Sequence, residues 1–404
     1  MSFELKALKD ICTIQIGKTP SRHECDYWRD GTHAWLSIAD MNQGRYLNNT
    51  KEYITDLGVK ASNIKLIPKN TLVLSYKLSI GKVGITQKPM YTNEAIASLT
   101  ELDSQVDINY LYWALQHIDL LENADRAAMG KTLNKAKLSE VKIPLPPLEE
   151  QRRIASILDQ ADELRQKRQQ AIEKLDQLLQ ATFIDMFGDP VSNPKGFEVK
   201  KLSEQVDLIQ IGPFGTQLHQ EDYIENGIPL INPSHIKNGK IIPNHKLTVS
   251  QSKYEELTQY HLRLNDVLLG RRGEMGRCAV VTQNEVGWLC GTGSLFLRPN
   301  LEKINPFFLE LLLSSDSIKR YLENVSQGQT MANLNKTIVG SIPLISPSIE
   351  IQNKFFLIAE KIDKMKTELK SAKNQVNNLF ESLQNQAFNG TSFENLRYKD
   401  SYEI

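Results

Sequence analysis

Two short stretches combine residue types suited to contact with a polyanion. Ser75-Tyr76-Lys77-Leu78-Ser79-Ile80-Gly81-Lys82 and Gly270-Arg271-Arg272-Gly273-Glu274-Met275-Gly276-Arg277 each follow an apolar run, mix glycine with cations and return to an apolar run. Glycine lets the backbone approach a phosphate closely, lysine is a compact charge, and arginine can also bond guanine through two donors. Lys77, Ser79, Lys82, Arg271, Arg272 and Arg277 are therefore candidate nucleic-acid contacts. Polar turns supply further candidates: Lys18 and Thr19 after Gly17, Thr216 and Gln217 after Gly212-Pro213-Phe214-Gly215, Lys131 after Gly130, and Gln329 in Gln327-Gly328-Gln329-Thr330. A hairpin or turn with solvated polar groups is the plainer reading of any one of them. The recurrence of the glycine-cation loop in two copies, with changed cations, favours contact.

Catalytic patterns are missing from the sequence. Gly17-Lys18-Thr19 matches the end of a Walker A loop, but Cys12 stands where that loop needs its first glycine. Asn193-Pro194-Lys195 and Asn232-Pro233-Ser234 both fail the Asn/Asp-Pro-Pro-aromatic tetrapeptide of adenine-methylating enzymes. The histidines form no HExxH and no serine sits in a GxSxG elbow. Cys12, Cys25, Cys278 and Cys290 form no CxxC pair, so reduced, buried thiols and no metal site are expected. Glu149-Glu150 sits at a helix start, where carboxylates favour the N-terminal end of the dipole. The chain is expected to perform no chemistry itself. A nuclease with an unrecognised site is disfavoured because an acid such as Asp40 becomes His235 in the second copy, and DNA breakdown by the purified chain would revive it.

The candidate loops need elements to hold them, and the chain is most informative about these when compared with itself. A shift of 195 places Ile14-Gln15-Ile16-Gly17 on Ile209-Gln210-Ile211-Gly212, Asn70 on Asn265, and Gly81-Lys82 on Gly276-Arg277. Small insertions then set Asn109-Tyr110-Leu111 against Asn305-Pro306-Phe307, Leu148-Glu149-Glu150-Gln151 against Ile349-Glu350-Ile351-Gln352, and Phe187 against Phe388. This is a tandem duplication of a unit of roughly 200 residues. Each unit begins as a mixed α/β domain, with short β-rich runs such as Trp35–Ile38, Thr71–Leu74 and Ala279–Val281 and one amphipathic helix, Ile108–Glu122 or Pro306–Val325. A proline-rich stop then precedes a long helix.

The first long helix carries Ile154, Ile157, Ala161, Leu164, Leu175 and Leu178 at helical spacing, with Arg168 breaking the seam. In the second, Ile351, Phe355, Ile358, Ile362, Met365, Leu369, Ala372, Val376, Leu379 and Leu383 step by four and three. Two such seams call for each other. The expected fold is α+β: two mixed α/β domains joined by two long helices forming an antiparallel coiled coil with pseudo-two-fold symmetry. The expected divisions are a first domain at 1–147, a helix at 148–187, a second domain at 188–347 (188–196 a linker), a helix at 348–388 and a tail at 389–404. Helices of that length span roughly 60 Å at about 1.5 Å per residue, which suggests a spacer of fixed length between two reading heads.

Composition sets looser limits. Lys plus Arg and Asp plus Glu each number 48, so net charge argues neither for nor against nucleic acid. No apolar run is long enough to cross a bilayer and the acidic start is not a signal peptide, so a cytoplasmic protein with no membrane partner is expected.

Two variable domains, each followed by an approach to a long helix like Ile143-Pro144-Leu145-Pro146-Pro147-Leu148-Glu149-Glu150-Gln151, and helices closing on a Phe-Gly element, resemble the specificity subunit of type I restriction–modification systems. The resemblance runs to Gly390 and is most specific at Ile143–Ile154 and Gly212–Leu218; the second copy departs at Ser346-Pro347-Ser348-Ile349. It implies that the two globular domains are target-recognition domains, each reading one part of a bipartite site in double-stranded DNA. It further implies that the helix pair fixes the spacer and binds two methyltransferase subunits, which restriction subunits join. No cofactor is expected on this chain; S-adenosylmethionine belongs to the methyltransferase and ATP to the motor-nuclease. The alternative is a coiled-coil scaffold protein with duplicated protein-binding domains, which zero net charge fits equally well.

Overall fold

The computed structural model describes residues 3–77, 79–120, 125–127, 130–326 and 334–388. It divides into two units, one of Met1–Gln170 with Lys370–Ile404 and one of Ala171–Leu369. Among the described residues, no helix is long and apolar enough to cross a membrane.

In the first unit a sheet of five strands runs in the order Thr13–Ile16, Ile96–Thr100, Leu72–Ser75, Val83–Thr86, Tyr46–Leu47. All its pairs are antiparallel except the last. Every residue of Leu72–Ser75 is buried, which suits its central place. A smaller sheet sets His33–Leu36 antiparallel to Glu52–Ile54 and parallel to Tyr91–Thr92. The helix Ile108–His117 packs its buried Tyr110, Leu111 and Trp113 in the core beneath the larger sheet. Asp107 caps it, accepting from the backbone N–H of Asn109 and Tyr110 at 2.9 and 3.0 Å. The helix was expected to reach Glu122; Ile118 turns extended and ends it at His117.

The second unit repeats the plan. Its main sheet runs Val206–Ile211, Ser294–Pro299, Val267–Gly270, Cys278–Val280, the same order as the first four strands of its counterpart. In its smaller sheet Ile228–Ile231 lies antiparallel to Thr248–Val249 and parallel to Leu289–Cys290. Asn305 caps the helix Pro306–Ser314, bonding the N–H of Phe307 and Phe308 at 2.9 and 3.3 Å. Here too the expected single helix is interrupted: Ser315 is extended and a second helix, Asp316–Ser326, follows. Because Asp107 and Asn305 hold the same capping position, Tyr110 corresponds to Phe308, two places from the expected match of Asn109 with Asn305.

In both units a strand from the domain's start pairs with the proline-rich segment at its close: Leu5–Ala7 with Lys142–Pro144, and Val199–Lys201 with Pro343–Ile345. The helix that follows carries a glutamine on its first turn that locks the junction. Gln151, fully buried, accepts from the N–H of Asp107 at 2.9 Å and donates to the carbonyls of Gln105 and Pro146, both at 2.8 Å. Gln352 makes the same set with the N–H of Asn305 and the carbonyls of Lys303 and Pro347.

The two long helices, Leu148–Phe187 and Ile349–Phe388, are divided between the units, and within each unit their segments run antiparallel. In the first unit Arg165 bonds Asn377 at 3.0 Å, Lys373 bonds Gln169 at 2.6 Å, and Arg168 donates to the carbonyl of Ala372. In the second, Lys366 pairs with Asp176 at 2.5 Å and Phe183 meets Phe355 edge-on with centroids 5.6 Å apart.

The buried seam differs from the expected one. Ile154, Phe355, Ile362 and Val376 are buried, and Ile157, Ala161, Leu175, Ile358 and Leu369 are half-buried. Leu164, Leu178, Ile351, Met365 and Leu379 are 38–53% exposed instead. On the second helix Ile351, Met365 and Leu379 give way to the next residue, Gln352, Lys366 and Phe380, and Lys373 is half-buried beside Ala372. Polar side chains occupy it because partners across the pair satisfy them and lysine stems cover apolar surface, so an apolar stripe alone misplaces it.

Of the four cysteines, Cys12, Cys278 and Cys290 are buried free thiols. Cys25 is exposed, contrary to expectation, because the turn Cys25–Tyr27 lies at the surface.

Candidate nucleic-acid interface

In the first domain three of the candidate segments meet at one end of the main sheet. The backbone N–H groups of Gly17 and Lys18 bond the carbonyls of Ile96 and Thr92 at 3.1 and 2.9 Å, holding the first loop against the Thr92–Ile96 turn. A Cβ on Gly17 would lie 2.2 Å from the Thr92 and Asn93 carbonyl oxygens, so the approach admits only glycine. The second loop binds the same turn, through Tyr76 N–H to Ala95 O at 3.0 Å and Tyr76 hydroxyl to Glu94 O at 2.9 Å. Gly81, at φ +94°, makes the turn that returns this loop to its strand. The third segment arrives through Leu133, whose N–H bonds the Tyr76 carbonyl at 3.3 Å.

The second domain is wired in the same way. Gly212 N–H bonds Ser294 O at 3.0 Å, Arg271 N–H bonds Gly293 O at 3.0 Å, and Leu334 N–H bonds Arg271 O at 3.0 Å. A Cβ on Gly212 would fall 1.9 Å from the Gly291 carbonyl oxygen. Gly276 takes φ +75° at the place Gly81 holds in the first copy.

Comparison with known sequences gives this arrangement a name. The family model for the type I restriction modification DNA specificity domain matches residues 2–174 and again 194–378. The chain belongs to this family. It is 30% identical over 261 residues to the specificity subunit of type I restriction enzyme MjaIX of Methanocaldococcus jannaschii, a match covering 59% of each chain. The MjaVIII specificity subunit of the same organism is 25% identical over 386 residues, 85% of this chain and 87% of the relative. Among solved structures, the S subunit of a type I restriction–modification system from M. genitalium shares the fold at a TM-score of 0.57 and 18% identity, with 96% of both chains covered.

Within these specificity domains the twelve sequence-derived candidates fall into distinct settings. Lys18, Ser79, Thr216 and Arg272 are exposed. Thr19 bonds the Glu94 carboxylate, and Lys77 lies beside the Tyr76 ring, 5.4 Å from its centroid. Lys82 donates to Asn42 at 2.7 Å, and Arg277 pairs with Glu274 at 2.5 Å, so both are held within the domain. The Gln217 carbonyl accepts from the Tyr260 hydroxyl at 2.7 Å. Lys131 lies on Gly130–Thr132, a strand paired with Asp125–Ala127, and Gln329 lies outside the described residues. Arg271 is 5% exposed; burial, and then Arg272 beside it, pull its pKa down. It occupies the place of the equally buried Tyr76, so its backbone ties the loops together and its neighbour Arg272 is the cation that faces out.

One cluster at this interface was not singled out from the sequence. Arg22 lies over Trp28 and pairs with Glu52 through both terminal guanidinium nitrogens. The available signal was the shift of 195, which sets Arg22 on Gln217.

Beside the second loop a cleft is lined by Lys237, Gly239, Arg277, Cys278, Glu310 and Lys319. Burial pushes the Glu310 carboxyl from its ordinary 4.5 up to about 7, opposed by the Cys278 thiol and the Lys319 ammonium. A folded-state pKa above the unfolded one means the folded domain holds this proton more tightly. Stability is therefore fullest below about pH 4.5, falls as pH rises towards about 7 and is level beyond. Glu310→Gln is expected to remove this slope, so that the wild type loses about 1–3 kcal/mol relative to the variant between about pH 5 and about pH 8. Urea midpoints of both proteins at the two pH values measure the difference, and parallel midpoints would refute it.

Proposed function

We propose that this chain is the sequence-specific DNA-recognition subunit of a type I restriction–modification assembly. Each globular domain reads one part of a bipartite target in double-stranded DNA, and the long helices set the non-specific spacer and dock two methyltransferase subunits. Restriction subunits complete the assembly. Adenine methylation with S-adenosylmethionine and ATP-driven cleavage are the partners' chemistry, and this chain contributes recognition without a cofactor of its own.

The observation that carries this reading is that in each domain two loops bind one turn and a third segment binds the second loop, with the exposed Arg272 at the place that half-buried Lys77 holds in the first domain. Exposed cations and hydroxyls on these loops suit phosphate contacts that fix orientation, while forked donors suit base edges that fix sequence. Differing side chains on one framework predict two different half-sites.

Single-molecule methylation mapping in a host expressing the chain with its methyltransferase tests the reading. A bipartite methylated motif with unlike halves is expected; no motif, together with binding of other proteins by the domains, would favour the scaffold alternative. Arg272→Ala is expected to weaken binding of the assembled complex to its target by about 1–3 kcal/mol if the residue reads a base. A gel-shift titration with an unchanged affinity and an unchanged motif would remove Arg272 from the interface.

A further inference from the structure

Arg22 is placed with unusual care for a side chain that remains 48% exposed. Its guanidinium lies 3.8 Å from the centroid of Trp28 and 4.9 Å from that of Trp35. Those rings are fixed in turn: Trp28 meets Trp35 edge-on at 5.1 Å, and their indole N–H groups donate to the carbonyls of Ser21 and Lys18, each at 3.0 Å. The Glu52 carboxylate engages Nη1 and Nη2 together, the second at 3.0 Å.

A guanidinium carries five N–H donors, and a carboxylate across its two terminal nitrogens uses two of them. Three remain, among them the Nε–H and its neighbouring terminal N–H, which form a second fork along the side of the group. Much of the rotamer entropy that an arginine surrenders on binding is already lost here, and the ring beneath fixes the plane. A pre-oriented fork of two parallel donors matches the O6 and N7 acceptors that guanine alone presents together in the major groove.

We propose that Arg22 reads a guanine in the half-site of the first domain, with Glu52 and Trp28 as the residues that position it. The inference rests on the DNA-recognition reading above and adds the position and the base. The second domain supplies a contrast at the matching place. The Gln217 carbonyl oxygen is taken by Tyr260 at 2.7 Å and by the Phe214 N–H at 3.4 Å, leaving amide donors without the arginine geometry. The two half-sites are therefore expected to differ at the position this residue addresses.

The test uses the full chain assembled with its methyltransferase, in competition binding against duplexes that carry each base in turn at every half-site position. The wild type is expected to prefer guanine by roughly 10–100-fold at one position of one half-site. Arg22→Ala should reduce that preference to about threefold or less while the other half-site is read as before, and Glu52→Gln should reduce it less. Arg22→Lys keeps the charge without the fork and should also lose the preference, which decides the matter should the alanine variant fail to fold. Unchanged preference in Arg22→Lys, or a loss of affinity uniform across sequences in Arg22→Ala, would overturn the assignment and leave Arg22 a structural or phosphate-binding residue. Absence of any sequence preference in the wild type would instead overturn the recognition reading itself, and this inference with it.

Discussion

Replacing Gln352 with alanine should destabilise the second unit by about 2–4 kcal/mol, among the largest effects available from one side chain remote from the DNA loops. Gln352 is 1% exposed and serves three backbone groups from separate segments: the Asn305 N–H, the Lys303 carbonyl and the Pro347 carbonyl. Truncation removes all three bonds and leaves buried polar groups unmet, each costing about 1–3 kcal/mol where water cannot replace the amide. Gln352→Glu should be at least as damaging, because a carboxylate loses both donors and brings a buried charge. Equilibrium denaturation of the full chain should show the second unit unfolding earlier while the first keeps its midpoint, and Gln151→Ala should show the reverse. Variants with the wild-type profile would mean that the junction does not depend on the glutamine.

Lengthening both long helices by one heptad should change the spacer of the DNA target without changing either half-site. The insertion belongs between Gln170 and Ala171 and between Leu369 and Lys370, where the chain passes from one unit to the other. Placed there it leaves every contact inside each unit untouched, including Arg165–Asn377 in the first and Lys366–Asp176 in the second. Seven residues preserve the seam's alternation of four and three and add about 10.5 Å, or roughly three base pairs. Methylation mapping of the variant should report the same half-sites with a longer gap. The original gap in a folded, active complex would mean that something other than helix length sets the spacing.

Much of this architecture could be read from positions where the backbone admits few residues. Asn70 and Asn265 both take left-handed conformations, at φ 59° and 70°, and both close turns before a central strand. Gly17 and Gly212 sit where a side chain cannot fit. Such positions tolerate little change, so the repeat survives at them while surface residues diverge. The paired glutamines of the helix approaches belong to the same class.

Less visible were features that depend on partners distant in the chain. The helix seam runs through Lys366 and Lys373, whose partial burial becomes intelligible only once Asp176 and Gln169 lie opposite. Arg271 and Arg272 look interchangeable in sequence, but the backbone of Arg271, just past the strand Val267–Gly270, is bonded to Gly293 and Leu334 and its residue is buried, while Arg272 faces out. Arg22 gave no signal by itself, because its setting is assembled from Trp28, Trp35 and Glu52 on separate elements.

The division of the long helices also bears on how the protein is made. The second unit is one continuous stretch, Ala171–Leu369, and can close all its contacts soon after leaving the ribosome. The first cannot: its core includes Phe380, Leu383, Ala387 and Phe388, which share a cluster with Tyr110 and Trp113 and are translated only after the whole second unit. At about 5–20 residues per second, the roughly 200 residues separating Gln170 from Lys370 occupy the ribosome for about 10–40 s. Throughout that interval Tyr110 and Trp113 of the earlier-made domain lack the contacts that Phe388 and Phe380 supply. A nascent chain released at Leu369 would therefore carry a finished second unit and an unfinished first.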